Sequence, residues 1–104
     1  MIPVTKAFLP PWEEFQALLE GTWATCHLTN HGPLVERLEL ALARKLGVNE
    51  VVLVANGTLA LQLALKAVGV QAGDEVVTTA FSYVATPAAV AWVGAHPILA
   101  DIEA

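Results

Sequence analysis

Ten residues set the architecture of this chain: Val51-Val52-Leu53-Val54-Ala55-Asn56-Gly57-Thr58-Leu59-Ala60. The first four are apolar and mostly β-branched, a pattern typical of a parallel strand buried on both faces. Asn56 and Gly57 interrupt this run. The residues that follow contain no glycine or proline and are rich in alanine and leucine, which predicts a helix over Thr58–Val68. We therefore expect one strand followed directly by one helix.

The same plan recurs in the last third of the sequence. A glycine-rich turn precedes a predicted strand over Glu75–Thr79. A helix is predicted over Val84–Val93, since Pro87 is tolerated in a first turn, and a final strand over Pro97–Ala100. Strands separated by helices of about ten residues imply crossover connections. The expected fold class is therefore α/β, with a mostly parallel sheet in the order β-α-β-α-β.

Upstream of this region the sequence is punctuated by prolines and glycines. Residues 1–32 predict an extended arm that carries one short helix over Trp12–Thr22. A second helix is predicted over Pro33–Leu46, because proline is favoured at the first helical position and leucines recur on one face. Gly47 is its expected end. Two regions follow from this pattern: an arm over 1–32 and an α/β domain over 33–104.

The composition is unusually apolar for a chain of 104 residues. Hydrophobic residues make up 56% and charged residues 14%, against roughly 45–50% and 25% in ordinary soluble domains. A complete domain of this size would leave wide apolar surface facing water, which marks an interface or a missing partner segment. We therefore expect the chain to be a piece of something larger.

Charge and cysteine content exclude several classes of function. The net charge is −5 and the five basic residues are scattered, so no basic stripe for nucleic acid or an anionic membrane is indicated. Cys26 is the single cysteine, the N-terminus lacks the pattern of a signal peptide, and no apolar run approaches the roughly 20 residues that a bilayer requires. The expected location is the cytoplasm.

The junction between the first predicted strand and its helix is a candidate anion site. Free N–H groups at a helix N-terminus point at an anion, Gly57 permits close approach, and the Thr58 hydroxyl adds a hydrogen bond. The same residues are also typical of plain capping by Asn56 and Thr58. These residues alone leave both interpretations open. The sequence has neither a GxGxxG motif nor a Walker lysine, which argues against a common nucleotide fold.

A second candidate lies at the carboxyl end of the predicted strand Glu75–Thr79, where open α/β sheets place their ligands. Phe81 or Tyr83 there can stack on a flat heteroaromatic ligand. Alternatively, both rings fill the interface between sheet and helix. Because this end of the strand shares one sheet edge with the Gly57 turn, one ligand can contact both.

In order and spacing, four runs together resemble the DegT/StrS family of pyridoxal-phosphate (PLP) sugar aminotransferases: Leu28-Thr29-Asn30-His31-Gly32-Pro33-Leu34-Val35-Glu36-Arg37-Leu38-Glu39; Val54-Ala55-Asn56-Gly57-Thr58-Leu59-Ala60-Leu61; Gly73-Asp74-Glu75-Val76-Val77-Thr78-Thr79 with Phe81-Ser82-Tyr83-Val84-Ala85-Thr86; and Pro97 to Asp101-Ile102. The resemblance covers essentially the whole chain. It implies a truncated fold-type I PLP-transferase large domain over 33–104 and a homodimer. The implied activity moves an amino group, usually from glutamate, onto a keto sugar attached to a nucleotide.

The resemblance also implies roles for particular positions. Gly57, Thr58 and Leu59 match the turn that holds the PLP phosphate in that family. Tyr83 matches the aromatic residue that stacks on the pyridine ring, with Phe81 as the second choice.

A loop near the substrate or the neighbouring subunit is matched by Thr29 and Asn30. His31 stands where the family often has glycine, which affects the expected geometry of this loop.

The family's Schiff-base lysine and the aspartate that pairs with the pyridine nitrogen belong to later motifs, which this sequence does not contain. The lysines present, Lys6, Lys45 and Lys66, are poor substitutes by position. We therefore expect no catalytic residue here and no transamination by this chain alone. Two alternatives remain: a non-catalytic remnant that pairs through an exposed apolar face, and an unrelated nucleotide-binding α/β domain.

Other constellations are weaker. His27 and His31 are four apart, but the surrounding glycine and proline predict a loop and no third ligand is evident, so no metal site is expected. Cys26 lies next to His27, and adjacent residues rarely face one another, which argues against a nucleophile pair.

Overall fold

The computed structural model describes residues 4–103. Its elements are, in chain order, α1 (Trp12–Thr25), α2 (Pro33–Leu46), α3 (Gly57–Ala67), β1 (Glu75–Thr79), α4 (Ala85–Trp92) and β2 (His96–Ala100). The chain divides into two compact units, Met1–Leu53 and Val54–Ala104. The predicted boundary between an arm and a domain after residue 32 stays a prediction, and the first three residues of that arm lie outside the described residues.

The first unit contains the two N-terminal helices. α1 begins directly after Pro11 and carries Glu13 and Glu14 in its first turn, where negative charge is favourable to the helix dipole. It ends at Thr25, three residues beyond the predicted end, and is followed by the left-handed C-cap Cys26 with a φ of 53°. Helix α2 has its predicted bounds: Pro33 occupies the first helical position, and the left-handed Gly47 donates its amide to the carbonyl of Ala43.

The predicted strand Val51–Val54 is not a strand in the structure, and this part of the prediction was wrong. The backbone amide of Leu53 donates to Oε1 of Glu39 at 2.8 Å. A side-chain carboxylate therefore accepts the hydrogen bond that a backbone carbonyl of a neighbouring strand would otherwise accept. Val52 is 75% exposed, which also contradicts burial on both faces. A strand depends on a partner, and within residues 4–103 the sheet contains only β1 and β2.

The second unit holds the sheet and its crossover helix. Strands β1 and β2 run parallel, in register from Glu75 opposite His96 to Thr79 opposite Ala100. Helix α4 connects them, as the βαβ pattern predicted. The buried core combines residues of α4 and the turn after it with partly buried neighbours from α3, the following loop and β1: Val90, Val93, Ala95, Leu65, Val70 and Val76. The α/β class with a parallel sheet is therefore confirmed.

Two turns close against each other beside this core. Gly94 has a φ of 86°, and a Cβ there would lie 2.9 Å from Cβ of Ala72. Its carbonyl accepts from the amide of Gly73 at 2.9 Å, and the amide of His96 donates to the carbonyl of Asp74 at 2.7 Å. The turn before β1 and the turn before β2 are thus joined by backbone bonds, which fixes where the two strands begin.

Helix α3 is more exposed than its composition predicted. A helix so rich in alanine and leucine is ordinarily buried on more than one side, yet none of its side chains is buried in the structure. Leu61 and Leu63 are both exposed. Within residues 4–103, no helix is both long enough and apolar enough to cross a membrane.

Candidate functional site

An open cleft lies in the second unit between α3 and the turn that leads into α4. Its volume is about 640 Å³, within the range of roughly 300 to 1,000 Å³ typical of small-molecule sites. The lining consists of small and apolar side chains with a few polar groups: Gly57, Thr58, Ala60, Leu61, Ala64, Tyr83, Ala85 and Thr86. Among residues 4–103, no acidic side chain lines this cleft, so no carboxylate in its lining opposes an anionic ligand.

The capping of α3 determines which donors face the cleft. Asn56 is extended, with φ −164° and ψ 168°, and its Oδ1 accepts from the amide of Leu59 at 2.9 Å. Its carbonyl accepts from the amide of Ala60 at 3.1 Å. Among the described residues the amides of Gly57 and Thr58 make no hydrogen bond, because they are the first two of the helix. The N-terminus of α3 therefore leaves two free donors on residues that line the cleft.

The structure confirms one of the two interpretations of this turn, and the anion site stays a prediction. Capping by the Asn56 side chain is confirmed. The Thr58 hydroxyl makes no hydrogen bond within residues 4–103, and Thr58 lines the cleft, so its hydroxyl is available to a ligand. The amide of Leu59 is already bonded to Asn56 and its side chain does not line the cleft. The role of Leu59 in holding a phosphate stays a prediction, and its amide has a competing partner.

The structure separates the two aromatic candidates. Tyr83 lines the cleft together with Gly57 and Thr58, whereas Phe81 does not. Both rings are largely exposed, Tyr83 at 78% and Phe81 at 84%, so the alternative that they fill the interface between sheet and helix was wrong. Tyr83 is the ring that a ligand in this cleft can contact.

Sequence reasoning assigned no role to Thr86, which also lines the cleft. Its hydroxyl lies 2.8 Å from the hydroxyl of Ser82, and its amide donates to the carbonyl of Tyr83 at 3.0 Å. The signal that was available is the pair of hydroxyl residues four apart at the start of a predicted helix, a spacing that brings side chains together.

None of the three lysines of the chain lines the cleft. Nζ of Lys66 donates to the carbonyl of Val93 at 3.2 Å and to the carbonyl of Val70 at 3.4 Å. The ammonium group thereby joins the C-terminal ends of α3 and α4, a role typical of a structural lysine. Lys6 and Lys45 belong to the first unit.

The loop between α1 and α2 lines a smaller cavity of about 190 Å³ in the first unit, which includes Thr29 and Asn30. Asn30 and His31 are consecutive left-handed residues, with φ of 54° and 62°. A substrate role for Thr29 and Asn30 stays a prediction. Nε2 of His31 lies 3.5 Å from Oε2 of Glu39. Within residues 4–103, no three histidine, cysteine or acidic side chains are grouped as metal ligands.

The cleft fits a ligand with an anionic group and a flat ring. The free amides of Gly57 and Thr58 and the Thr58 hydroxyl are suited to a phosphate, and Tyr83 contributes an aromatic ring to the same lining. A Cβ built on Gly57 meets no heavy atom within 4 Å, so this end of the cleft has open space. These are the features that the phosphate and pyridine ring of PLP require.

Comparisons with known proteins identify the family of this chain. The family model described as the DegT/DnrJ/EryC1/StrS aminotransferase family matches residues 12–104. The dTDP-4-amino-4,6-dideoxy-D-glucose transaminase of Escherichia coli is 44% identical over 102 residues, which cover 98% of this chain and 27% of that protein. The GDP-perosamine synthase of Vibrio cholerae is 40% identical over 105 residues, covering 99% of this chain and 28% of that protein. The chain thus spans just over a quarter of the length of these two relatives.

A solved structure supports the same assignment. NtdA from Bacillus subtilis, with its cofactor PMP bound, matches with a TM-score of 0.80 and 35% identity, over 88% of this chain and 21% of that one. The residues that match the family model, 12–104, include parts of both units of the chain. The chain belongs to the DegT/DnrJ/EryC1/StrS aminotransferase family, which is PLP-dependent.

Proposed function

We propose that this chain supplies the phosphate end and one ring face of the PLP site in an aminotransferase that acts on a keto sugar attached to a nucleotide. Glutamate is the proposed amino donor, and the proposed assembly is a homodimer. Relatives named as sugar transaminases and synthases support the substrate class. When bound, PLP supplies the electron sink through which an amino group passes between two substrates.

The observation that carries this proposal is that Gly57, Thr58 and Tyr83 line one cleft. The first two offer free backbone amides and the Thr58 hydroxyl, which together bind and orient a phosphate. Tyr83 covers one face of the ring and excludes water from it. These groups anchor and orient the cofactor without taking part in proton transfer.

In this proposal, the lysine that holds the cofactor covalently is not one of the three lysines of this chain. Lys66 is engaged with two backbone carbonyls, and neither Lys6 nor Lys45 belongs to the unit that contains the cleft. Binding of PLP to this chain should therefore be reversible and non-covalent.

Titration of the purified chain with PLP, followed by visible absorbance, tests this proposal. Thr58→Val should weaken binding by about 10- to 100-fold, the value of a hydrogen bond to a charged group. Tyr83→Ala should weaken it by about 2- to 10-fold, the value of one stacked ring. Phe81→Ala is the matched control, because Phe81 is an equally exposed ring outside the cleft lining, and it should leave affinity unchanged.

Two results would contradict the proposal. The first is equal loss of affinity in Tyr83→Ala and Phe81→Ala, which would mean that the cleft is not the binding site. The second is a borohydride-fixed adduct on a single lysine, detected by intact mass and peptide mapping, which would mean that one of Lys6, Lys45 and Lys66 holds the cofactor.

A second candidate function is a non-catalytic module that pairs with another copy through apolar surface. Trp23 and Trp92 are each 78% exposed, an unusual position for the largest apolar side chains. Light scattering after size exclusion across a concentration series distinguishes the candidates. A dimer whose stability falls in Trp23→Ser or Trp92→Ser, combined with no PLP binding, would favour the interaction module over the cofactor site.

A further inference from the structure

We propose that Thr86, together with Ser82, is a positioning residue that holds Tyr83 at the cleft so that its ring meets the cofactor. This inference rests on the proposed function, because it says how Tyr83, the residue proposed to cover the cofactor ring, is oriented. Nothing in the family resemblance assigns a role to either hydroxyl.

Thr86 holds the turn around Tyr83 through two bonds, one to the backbone of Tyr83 and one to the side chain of Ser82. Its amide donates to the carbonyl of Tyr83 at 3.0 Å, and its hydroxyl lies 2.8 Å from the hydroxyl of Ser82, the residue immediately before Tyr83. The carbonyl of Tyr83 and the side chain of the preceding residue are therefore both held by one residue in the first turn of α4.

The need for such a device follows from the exposure of Tyr83. The ring is 78% exposed, so packing against neighbours does not fix its direction. An exposed aromatic side chain keeps its rotamer freedom, and ordering it on ligand binding costs free energy. Bonds to the Tyr83 carbonyl and to the Ser82 side chain restrict the turn that carries the ring, which removes the backbone part of the ordering cost before the ligand arrives.

A different anchor holds the upstream part of the same turn. The amide of Phe81 donates to Oγ1 of Thr79 at 3.0 Å, which joins the end of β1 to the turn. The turn is thus held at its start by Thr79 and at its end by Thr86. Only the second anchor lines the cleft, so Thr86 couples the turn to the ligand site.

The test uses Thr86→Val, which keeps the β-branched shape and removes the hydroxyl, and Thr86→Ser, which keeps the hydroxyl. Thr25→Val is the matched control, because Thr25 also makes a local hydroxyl bond, to the carbonyl of Gly21 at 3.1 Å, and lies in the other unit. Tyr83 is the only tyrosine in the sequence, so isotope-labelled tyrosine gives an NMR signal from this one residue.

Two readouts are measured on each variant of the full chain: the NMR order parameters of Tyr83 without ligand, and the affinity for PLP by absorbance. In Thr86→Val the order parameters should fall and affinity should weaken by about 2- to 10-fold, the range of one uncharged hydrogen bond. Thr86→Ser and Thr25→Val should match the parent chain in both readouts. Adding Ser82→Ala to Thr86→Val should cause little further loss, because the two hydroxyls act as one pair.

Unchanged Tyr83 order in Thr86→Val would overturn the inference, as would an equal loss in Thr86→Ser. If the order of Tyr83 falls as expected but the parent chain gives no PLP signal, the positioning role is supported and the proposed function is overturned. The two ideas therefore fail by different results.

Discussion

Replacement of Gly94 by alanine tests how the second unit is closed. Gly94 has a φ of 86°, and its added Cβ would lie 2.9 Å from Cβ and 3.3 Å from Cα of Ala72. The first distance is far below the usual contact between two carbon atoms, about 3.5 to 4.0 Å. Because part of the clash is with backbone, rotation of a side chain cannot relieve it, and the two turns must move apart.

The expected destabilisation has two parts. Placing alanine in the left-handed region costs about 1 to 2 kcal/mol. Overpacking a well-formed contact costs about 1 to 3 kcal/mol more. The smaller entropy of the unfolded alanine chain returns about 0.4 to 1 kcal/mol. Gly94→Ala should therefore lower the free energy of unfolding by about 1 to 4.5 kcal/mol, and by about 3 kcal/mol at the middle of each range.

Gly73 provides a matched control, because its φ is 91° and a Cβ there meets no heavy atom within 4 Å. Gly73→Ala has the backbone cost and lacks the clash, so it should lose only about 1 kcal/mol. The assay is urea unfolding of both variants and the parent, followed by far-UV circular dichroism. Equal losses in Gly73→Ala and Gly94→Ala would refute the steric argument, because the two positions differ only in what surrounds the new methyl group.

Three further predictions concern other positions. Gly57→Ala should leave the free energy of unfolding within about 0.5 kcal/mol of the parent, because the added Cβ has open space. Its affinity for PLP, measured by absorbance, should fall, because the methyl group adds to the cleft wall; unchanged affinity would contradict this prediction. Lys66→Met should lower stability in urea by about 1 to 3 kcal/mol, because it removes charge-assisted bonds to two carbonyls; a neutral result would mean that solvent replaces them. Glu39→Leu should speed amide exchange at Leu53, whose N–H loses its acceptor, and Glu36→Leu is the control that should leave that rate unchanged.

Much of the fold could be predicted from sequence because its signals are local. Pro33 and Gly47 define the bounds of α2, since one is favoured at a helix start and the other adopts the left-handed end. Strand β1 has its predicted range, and β2 begins one residue before the predicted start. Each of these features depends on residues within a few positions of one another.

The sequence by itself determined the four helices, the strands β1 and β2, the family motifs and the candidate residues on each turn, because helix caps, turn glycines and apolar periodicity act over short distances. Only the tertiary structure decided that Tyr83 and not Phe81 lines the cleft with Thr58, and that Thr86 is beside it. Tertiary structure also decided against a strand at Val51–Val54. Whether an apolar run pairs as a strand, and which side of a turn a ring occupies, depend on partners distant in sequence, which no local pattern contains.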